Sequence, residues 1–293
     1  MKLVLGTAQL GEDYGIAFPG KKITKSAFTT ILNIAKNNNI FNIDTAVAYG
    51  DSLTILGEIS VDEMLVISKL PKMPEDFAKK DINSWLNTTF EKMLRDLRLK
   101  NIHTLLIHNS ADLTGKFSSE LINFLHKIKL NNLVKKVGVS IYEPEEIGTF
   151  YNFFKPDVIQ CPYNIFDQRI LRSGWLDKLV ANKVEVHARS IFLQGVLLKN
   201  FLELDSYFSK WEDKFIKFEN YCYQQQTKHG QRRQFLAKPF EFLPVPPHRQ
   251  FHEDLLYQLY AVAYHLYVYA HVIRHEWCQL FQLRWPLLAL LMH

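Results

Sequence analysis

The chain has 293 residues, a hydrophobic fraction of 47% and a formal net charge of +5. This length fits one large domain or two ordinary ones, and the apolar fraction is sufficient for a globular core. The sequence has no basic block with interleaved aromatic side chains, which argues against nucleic acid as a partner.

The cysteines indicate a reducing compartment. Cys161, Cys222 and Cys278 are far apart in the sequence and form no C-x-x-C pair, so they provide no disulfide framework. The first residues also lack the apolar core and the cleavage site of a signal peptide. We therefore expect a cytoplasmic protein with no membrane partner.

Predicted strands and helices alternate along the first two thirds of the chain. Short apolar runs predict strands at 2–8, 40–44, 64–69, 102–108, 134–140, 158–161 and 184–189. Apolar residues at helical spacing predict helices at 25–37, 51–59, 81–96, 117–130 and 168–182, and Pro144 is placed to open one more. Seven such repeats with short connections are typical of a TIM-type (β/α)8 barrel.

The rival fold is a doubly wound nucleotide-binding sheet. That fold normally has G-x-G-x-x-G between its first strand and first helix. The corresponding segment here, Gly6-Thr7-Ala8-Gln9-Leu10-Gly11, does not have that spacing. The barrel is therefore the preferred prediction, with its last strand and helix units atypical or incomplete.

Four polar residues lie at or just beyond the ends of three successive predicted strands. Asp44 closes the second strand and is followed by Tyr49, Lys69 closes the third strand, and His108 closes the fourth. In a parallel barrel these ends share one face, which carries the chemistry. Taken singly, each residue has a simpler explanation as a turn former or a solvated strand end. The four together indicate an active site.

These residues carry a family resemblance. The pattern Asp44-x4-Tyr49-Gly50, Lys69 in Ile-Ser-Lys and His108 in Leu-Ile-His resembles the aldo-keto reductases. The opening segment 5–11 is similar to the first strand and loop of that family, and the short N-terminus resembles its small bacterial members. The resemblance extends from residue 1 to about residue 223.

The resemblance implies an oxidoreductase that reduces an aldehyde or ketone with NAD(P)H. Tyr49 is then the general acid, although an unperturbed tyrosine has a pKa of about 10 and donates poorly at neutral pH. A nearby ammonium lowers the pKa of a phenol, which gives Lys69 its role, with Asp44 paired to it. His108 hydrogen-bonds and orients the carbonyl oxygen.

The resemblance also implies a cofactor site, with NADP(H) favoured over NAD(H) by family habit. Ser140 and Gln160 would hold the carboxamide, Arg189 would stack on the nicotinamide ring, and Ser190 with the backbone of 192–195 would line the pyrophosphate. Ser140 and Gln160 are equally explained as polar strand ends. The full set of implied cofactor contacts is Gly6, Thr7, Asp44, Ser140, Gln160, Arg189 and Ser190. A keto-sugar substrate is a further, weaker expectation from small bacterial members.

The composition changes after about residue 224. Residues 223–293 contain seven of the 11 histidines and neither asparagine nor serine. We expect residues 1–223 to form the barrel, and 224–293 to form a divergent segment with a proline-containing linker and then helix. Neither an eighth strand ending in glycine nor the family's adenosine-phosphate segment is visible. Translation from another reading frame and simple divergence both explain this.

The tail gives no sign of a metal site or a membrane span. Its histidines have no tight ligand spacing, so no metal is expected. Residues 255–273 are long enough to cross a bilayer, but their histidines, glutamine and tyrosines argue against it. Two alternatives to an active reductase stay open, a weakly active or inactive cofactor-binding regulator and a truncated, non-functional reductase. The sequence indicates no oligomeric state.

Overall fold

The computed structural model describes residues 2–16, 22–198, 201–218, 220 and 266–270. The linker and helical tail expected in 224–293 lie outside these residues, apart from Leu266–Ala270, which form a strand where helix was expected. In the described part of the chain, no helix is long and apolar enough to cross a membrane.

Eight strands form a closed barrel in the order in which they follow one another in the sequence. The first seven run parallel to one another, which confirms the predicted fold class. The strands are β1 Lys2–Gly6, β2 Asn42–Asp44, β3 Leu65–Leu70, β4 Ile102–Ile107, β5 Val134–Ser140, β6 Val158–Pro162, β7 Glu185–Arg189 and β8 Leu266–Ala270.

The α-helices of the described chain follow the predicted pattern closely. Eight of them are α1 Ala8–Gly11, α2 Lys25–Asn37, α3 Ser52–Ile59, α4 Lys79–Leu97, α5 Ser118–Leu130, α6 Glu145–Phe150, α7 Arg169–Arg172 and α8 Trp175–Ala181. Helix α2 has the predicted bounds because Thr24 caps it, accepting a hydrogen bond from the backbone N–H of Ala27 at 3.2 Å.

One predicted helix is wrong. The segment 168–182 forms two helices, α7 and α8, rather than one continuous helix. The break lies at Gly174, which has a φ of 77°, and glycine adopts this left-handed conformation at little steric cost.

The last strand is atypical, as the sequence led us to expect. Strand β8 runs antiparallel between β7 and β1, with Tyr269 opposite both His187 and Lys2. It closes the barrel without adding a carboxyl end to the face that the other seven strands share. That face is therefore built from β1–β7.

The inside of the barrel is filled in layers. Val4, Ile67, Leu106 and Val158, from four different strands, form one buried apolar cluster. Side chains two residues apart point to the same side of a strand. The residues two positions after Ile67 and Val158 are Lys69 and Gln160, so a buried polar layer lies directly above the apolar one.

Candidate active site

The centre of the polar layer is a buried ion pair. Lys69 Nζ lies 2.5 Å from Asp44 Oδ1, and the two side chains are 1% and 0% exposed. Lys69 also donates to the backbone oxygen of Thr45 at 3.0 Å and to the hydroxyl of Tyr49 at 3.3 Å. The ammonium therefore connects the carboxylate to the phenol, and the structure brings these three predicted residues together.

The turn that carries Tyr49 is shaped by two glycines. Gly50 has a φ of 46°, and a Cβ on either Gly11 or Gly50 would collide with backbone atoms of the other segment. The backbone oxygen of Tyr49 accepts a hydrogen bond from the Ser52 N–H at 3.0 Å. This close backbone approach explains why glycine is needed at both positions.

A hydroxyl network fixes the end of β2. Thr7 Oγ1 donates to the backbone oxygen of Asp44 at 3.1 Å, and Ser52 Oγ donates to Thr7 Oγ1 at 2.8 Å. Gly6 pairs with Asp44 across the β1–β2 ladder. Gly6 and Thr7, predicted as cofactor contacts, therefore lie next to the backbone of Asp44 and hold the end of β2 in place.

His108 lies beside the phenol, just past the end of β4. Its ring meets the Tyr49 ring edge to face, with centroids 6.1 Å apart. Burial, followed by the charge of Lys69, lowers the pKa of His108 to about 4. The imidazole is therefore neutral near pH 7 and has one N–H to donate.

The predicted carboxamide contacts, Ser140 and Gln160, are linked by hydrogen bonds to the Asp44 carboxylate. Gln160 Nε2 donates to Asp44 Oδ2 at 2.7 Å, and Ser140 Oγ donates to Gln160 Oε1 at 3.3 Å. Both side chains are buried. They form one continuous chain of contacts with Asp44, Lys69 and Tyr49.

Arg189 ends β7 at the mouth of the site. Its guanidinium lies 4.2 Å from the centre of the Tyr142 ring and donates to the backbone oxygen of Ile141 at 3.0 Å. These contacts hold Arg189 against the end of β5, where it adds a positive charge to the mouth of the site.

The turn after β7 has an unusual backbone. Ser190, Leu193, Gln194 and Gly195 have φ values of 56°, 49°, 52° and 83°. Non-glycine residues in this region are uncommon, and such strain concentrates at ligand-binding turns. Asn164 holds the turn, donating from Nδ2 to the Ser190 oxygen at 3.1 Å.

Sequence reasoning missed Tyr14 and Asn164. Burial raises the pKa of Tyr14, and the charges of Arg189 and Lys69 act on the same hydroxyl in the opposite direction, so it lies near the site. The signal available in the sequence was its position in the loop after the first strand, on the catalytic face of a barrel. Asn164 had the same signal after β6.

The described residues include no group of three or more histidine, cysteine, aspartate or glutamate side chains that could hold a metal ion.

Comparisons with known proteins identify the family of the chain and show solved structures with a similar fold. The sequence matches the model of the aldo/keto reductase family over residues 2–242. No curated protein matches it.

Solved structures with a similar fold include a protein assigned to the aldo-keto reductases from Pseudomonas aeruginosa. The two are 23% identical with a TM-score of 0.52, and the match covers 62% of this chain and 70% of that one. A glycerol dehydrogenase from Gluconobacter oxydans is 22% identical, with a TM-score of 0.56 and coverage of 78% and 75%. An aldo-keto reductase from Bacillus halodurans is 18% identical, with a TM-score of 0.53 and coverage of 67% and 64%.

Proposed function

The chain belongs to the aldo/keto reductase family, and from that premise we propose that it reduces an aldehyde or ketone to an alcohol. Tyr49 is the general acid of the proposed reaction. The observation that carries the proposal is the position of Lys69 Nζ, which contacts both the Asp44 carboxylate and the Tyr49 hydroxyl inside a buried site.

The proton reaches the substrate from Tyr49. As the carbonyl carbon is reduced, its oxygen gains negative charge and needs a proton. The ammonium of Lys69, 3.3 Å from the hydroxyl, favours the phenolate that remains after the transfer. Asp44 pairs with Lys69 at 2.5 Å and holds its side chain in place, since both side chains are almost fully buried.

His108 orients the substrate. A neutral imidazole next to the phenol can donate one hydrogen bond to the carbonyl oxygen and hold it within reach of Tyr49. A protonated His108 would compete with Lys69 for the same developing charge. The low pKa of His108 therefore fits the proposed roles, in which Tyr49 alone transfers a proton and His108 only donates a hydrogen bond.

The residues present fit a nicotinamide dinucleotide, which supplies the hydride when bound. The turn from Ser190 to Gly195 has four residues with positive φ, and successive backbone N–H groups in such conformations can form a concave anion site that suits a pyrophosphate. Ser140 and Gln160 offer amide and hydroxyl contacts for the carboxamide, and Arg189 offers a charge at the mouth. We also propose a preference for NADP(H) over NAD(H), a small carbonyl substrate such as a keto-sugar, and a cytoplasmic location.

Two measurements test this function. Quenching of tryptophan emission during titration with NADPH and then NADH measures cofactor binding. Steady-state reduction of a reactive aromatic aldehyde is then compared among wild type, Tyr49→Phe and the control Tyr207→Phe, an exposed tyrosine in the described segment 201–218. We expect Tyr49→Phe to lose more than about a hundredfold in kcat and the control to be unchanged.

Equal rates for wild type and Tyr49→Phe would contradict the general-acid role. Cofactor binding without any turnover by wild type would instead favour the binding or regulatory protein.

A further inference from the structure

We propose that Gln160 is a positioning residue that orients the Asp44 carboxylate and so sets the titration midpoint of Tyr49, in addition to any contact it makes with cofactor. This inference rests on the proposed function, because it concerns the acidity of the same general acid. It assigns a catalytic consequence to a residue whose expected task is cofactor binding alone.

The contacts run without a gap from β5 to the phenol. Ser140 Oγ donates to Gln160 Oε1 at 3.3 Å, and Gln160 Nε2 donates to Asp44 Oδ2 at 2.7 Å. The other carboxylate oxygen, Oδ1, faces Lys69 Nζ at 2.5 Å, and the same ammonium reaches Tyr49. Each oxygen of Asp44 thus has its own donor from a different strand.

This division fixes the carboxylate. With one donor alone, the carboxylate group can rotate and offer both oxygens to Lys69. A second donor on Oδ2 holds Oδ1 toward the ammonium, which keeps Nζ between Asp44 and Tyr49. Gln160 and Asp44 are 1% and 0% exposed, so bulk water has little access to replace the amide donor.

The Gln160 amide can orient Asp44 and contact the cofactor carboxamide at the same time. The Gln160 side chain has two N–H donors and an oxygen with two lone pairs. Asp44 uses one donor and Ser140 uses one lone pair in this structure. Within the described part of the chain, one donor and one lone pair of Gln160 are left for a carboxamide, which itself offers one acceptor and one N–H₂ group.

The direction in which Gln160 shifts the titration midpoint of Tyr49 follows from the amide dipole. The positive N–H end of Gln160 faces Asp44 and offsets part of its negative charge. Without that donor, the carboxylate binds Lys69 more strongly and the potential at the phenol becomes more negative. Both changes favour the protonated phenol, so the titration midpoint of Tyr49 rises.

The experiment reads that midpoint directly in the cofactor-free protein. The 13 tyrosines are labelled with 13C at Cζ, and the Tyr49 signal is identified by its loss in Tyr49→Phe. Gln160→Met keeps the approximate length of the side chain and removes the donor. We expect its Tyr49 midpoint to rise by about one pH unit relative to wild type.

Ser140→Ala is the matched control. It removes a carboxamide contact and leaves the Gln160–Asp44 hydrogen bond, so it is expected to weaken NADPH binding while the Tyr49 midpoint stays near the wild-type value. Gln160→Asn keeps the amide but shortens the side chain by one methylene, which moves the donor away from Asp44. This variant replaces Gln160→Met in the experiment if Gln160→Met does not fold. An unchanged Tyr49 midpoint in the folded Gln160 variant would overturn the inference.

The two proposals fail separately. A shifted midpoint in a protein that never reduces a carbonyl would support the positioning role of Gln160 and reject the proposed reductase. Turnover by wild type with the same basic limb of the kcat–pH profile in Gln160→Met would support the reductase and reject the positioning role.

Discussion

The buried pair of Asp44 and Lys69 makes a sharp prediction about stability. Lys69 Nζ lies 2.5 Å from the carboxylate, and the two side chains are 1% and 0% exposed. Replacing Lys69 with methionine keeps most of the volume but leaves a carboxylate in the barrel interior. Its remaining side-chain hydrogen bond in the described structure comes from the neutral amide of Gln160.

The cost follows from burial. Removing one partner of a buried ion pair typically costs about 3–5 kcal/mol, because the other charge stays desolvated. No discount for solvent screening applies, since both groups are inaccessible. The carboxylate can escape the penalty by taking up a proton, so the destabilisation should shrink as the pH falls from 7 toward 4.

The assay is urea unfolding of wild type, Lys69→Met and the double variant Asp44→Asn/Lys69→Met at pH 7 and pH 5. We expect Lys69→Met to lose about 3–5 kcal/mol at pH 7, and the double variant to recover about half of that loss or more, because it contains no unpaired charge. A Lys69→Met protein within about 1 kcal/mol of wild type at pH 7 would show that the carboxylate is not desolvated as the structure implies.

Two further predictions concern His108 and the barrel glycines. The pKa of His108 is about 4 when folded, against 6.5 when unfolded, so the unfolded state binds more protons between these values and the free energy of unfolding falls as the pH drops through this window. His108→Asn removes this group, so the slope of the free energy of unfolding against pH should fall by at most one proton, about 1.4 kcal/mol per pH unit. An unaltered slope in urea unfolding at several pH values would argue against a buried neutral imidazole. Gly138→Ala should cost about 1–3 kcal/mol or more, because its Cβ would strike the Val158 carbonyl oxygen and lie 2.7 Å from Leu106 Cδ2. Gly148→Ala, in α6 with only a 3.8 Å contact to Trp175, should instead gain about 0.5–1 kcal/mol, and equal melting temperatures for the two variants would contradict this packing.

The sequence predicted the parallel part of the fold well for physical reasons. Strands buried on both faces appear as short apolar runs, and helices that cover them show apolar residues at a spacing of three and four. Strand β5 has the predicted bounds, Val134–Ser140, and β2 ends at Asp44 as expected. The juxtaposition of Asp44, Lys69 and Tyr49 followed from the rule that parallel strands place their carboxyl ends on one face.

What the sequence did not predict depends on contacts between distant segments. The break between α7 and α8 depends on the left-handed conformation of Gly174. A single glycine within an apolar helical pattern does not predict that conformation. The bond from Gln160 to Asp44 joins residues 116 positions apart, from strands β6 and β2 that are not neighbours in the sheet. Strand β8 lies in a segment whose composition had no family pattern, so neither its pairing nor its direction was visible.

The antiparallel direction of β8 raises the question of whether the atypical end of the chain disrupts the proposed active site. Its neighbours β7 and β1 would both be open sheet edges without it, and such edges invite association with other chains. An antiparallel strand satisfies the backbone groups of both edges as well as a parallel one does. The four proposed catalytic side chains come from β2, β3 and β4 and the loops that follow them, and the proposed carboxamide contacts come from β5 and β6. The antiparallel strand β8 therefore closes the barrel, while the proposed proton-transfer site is built on the parallel strands.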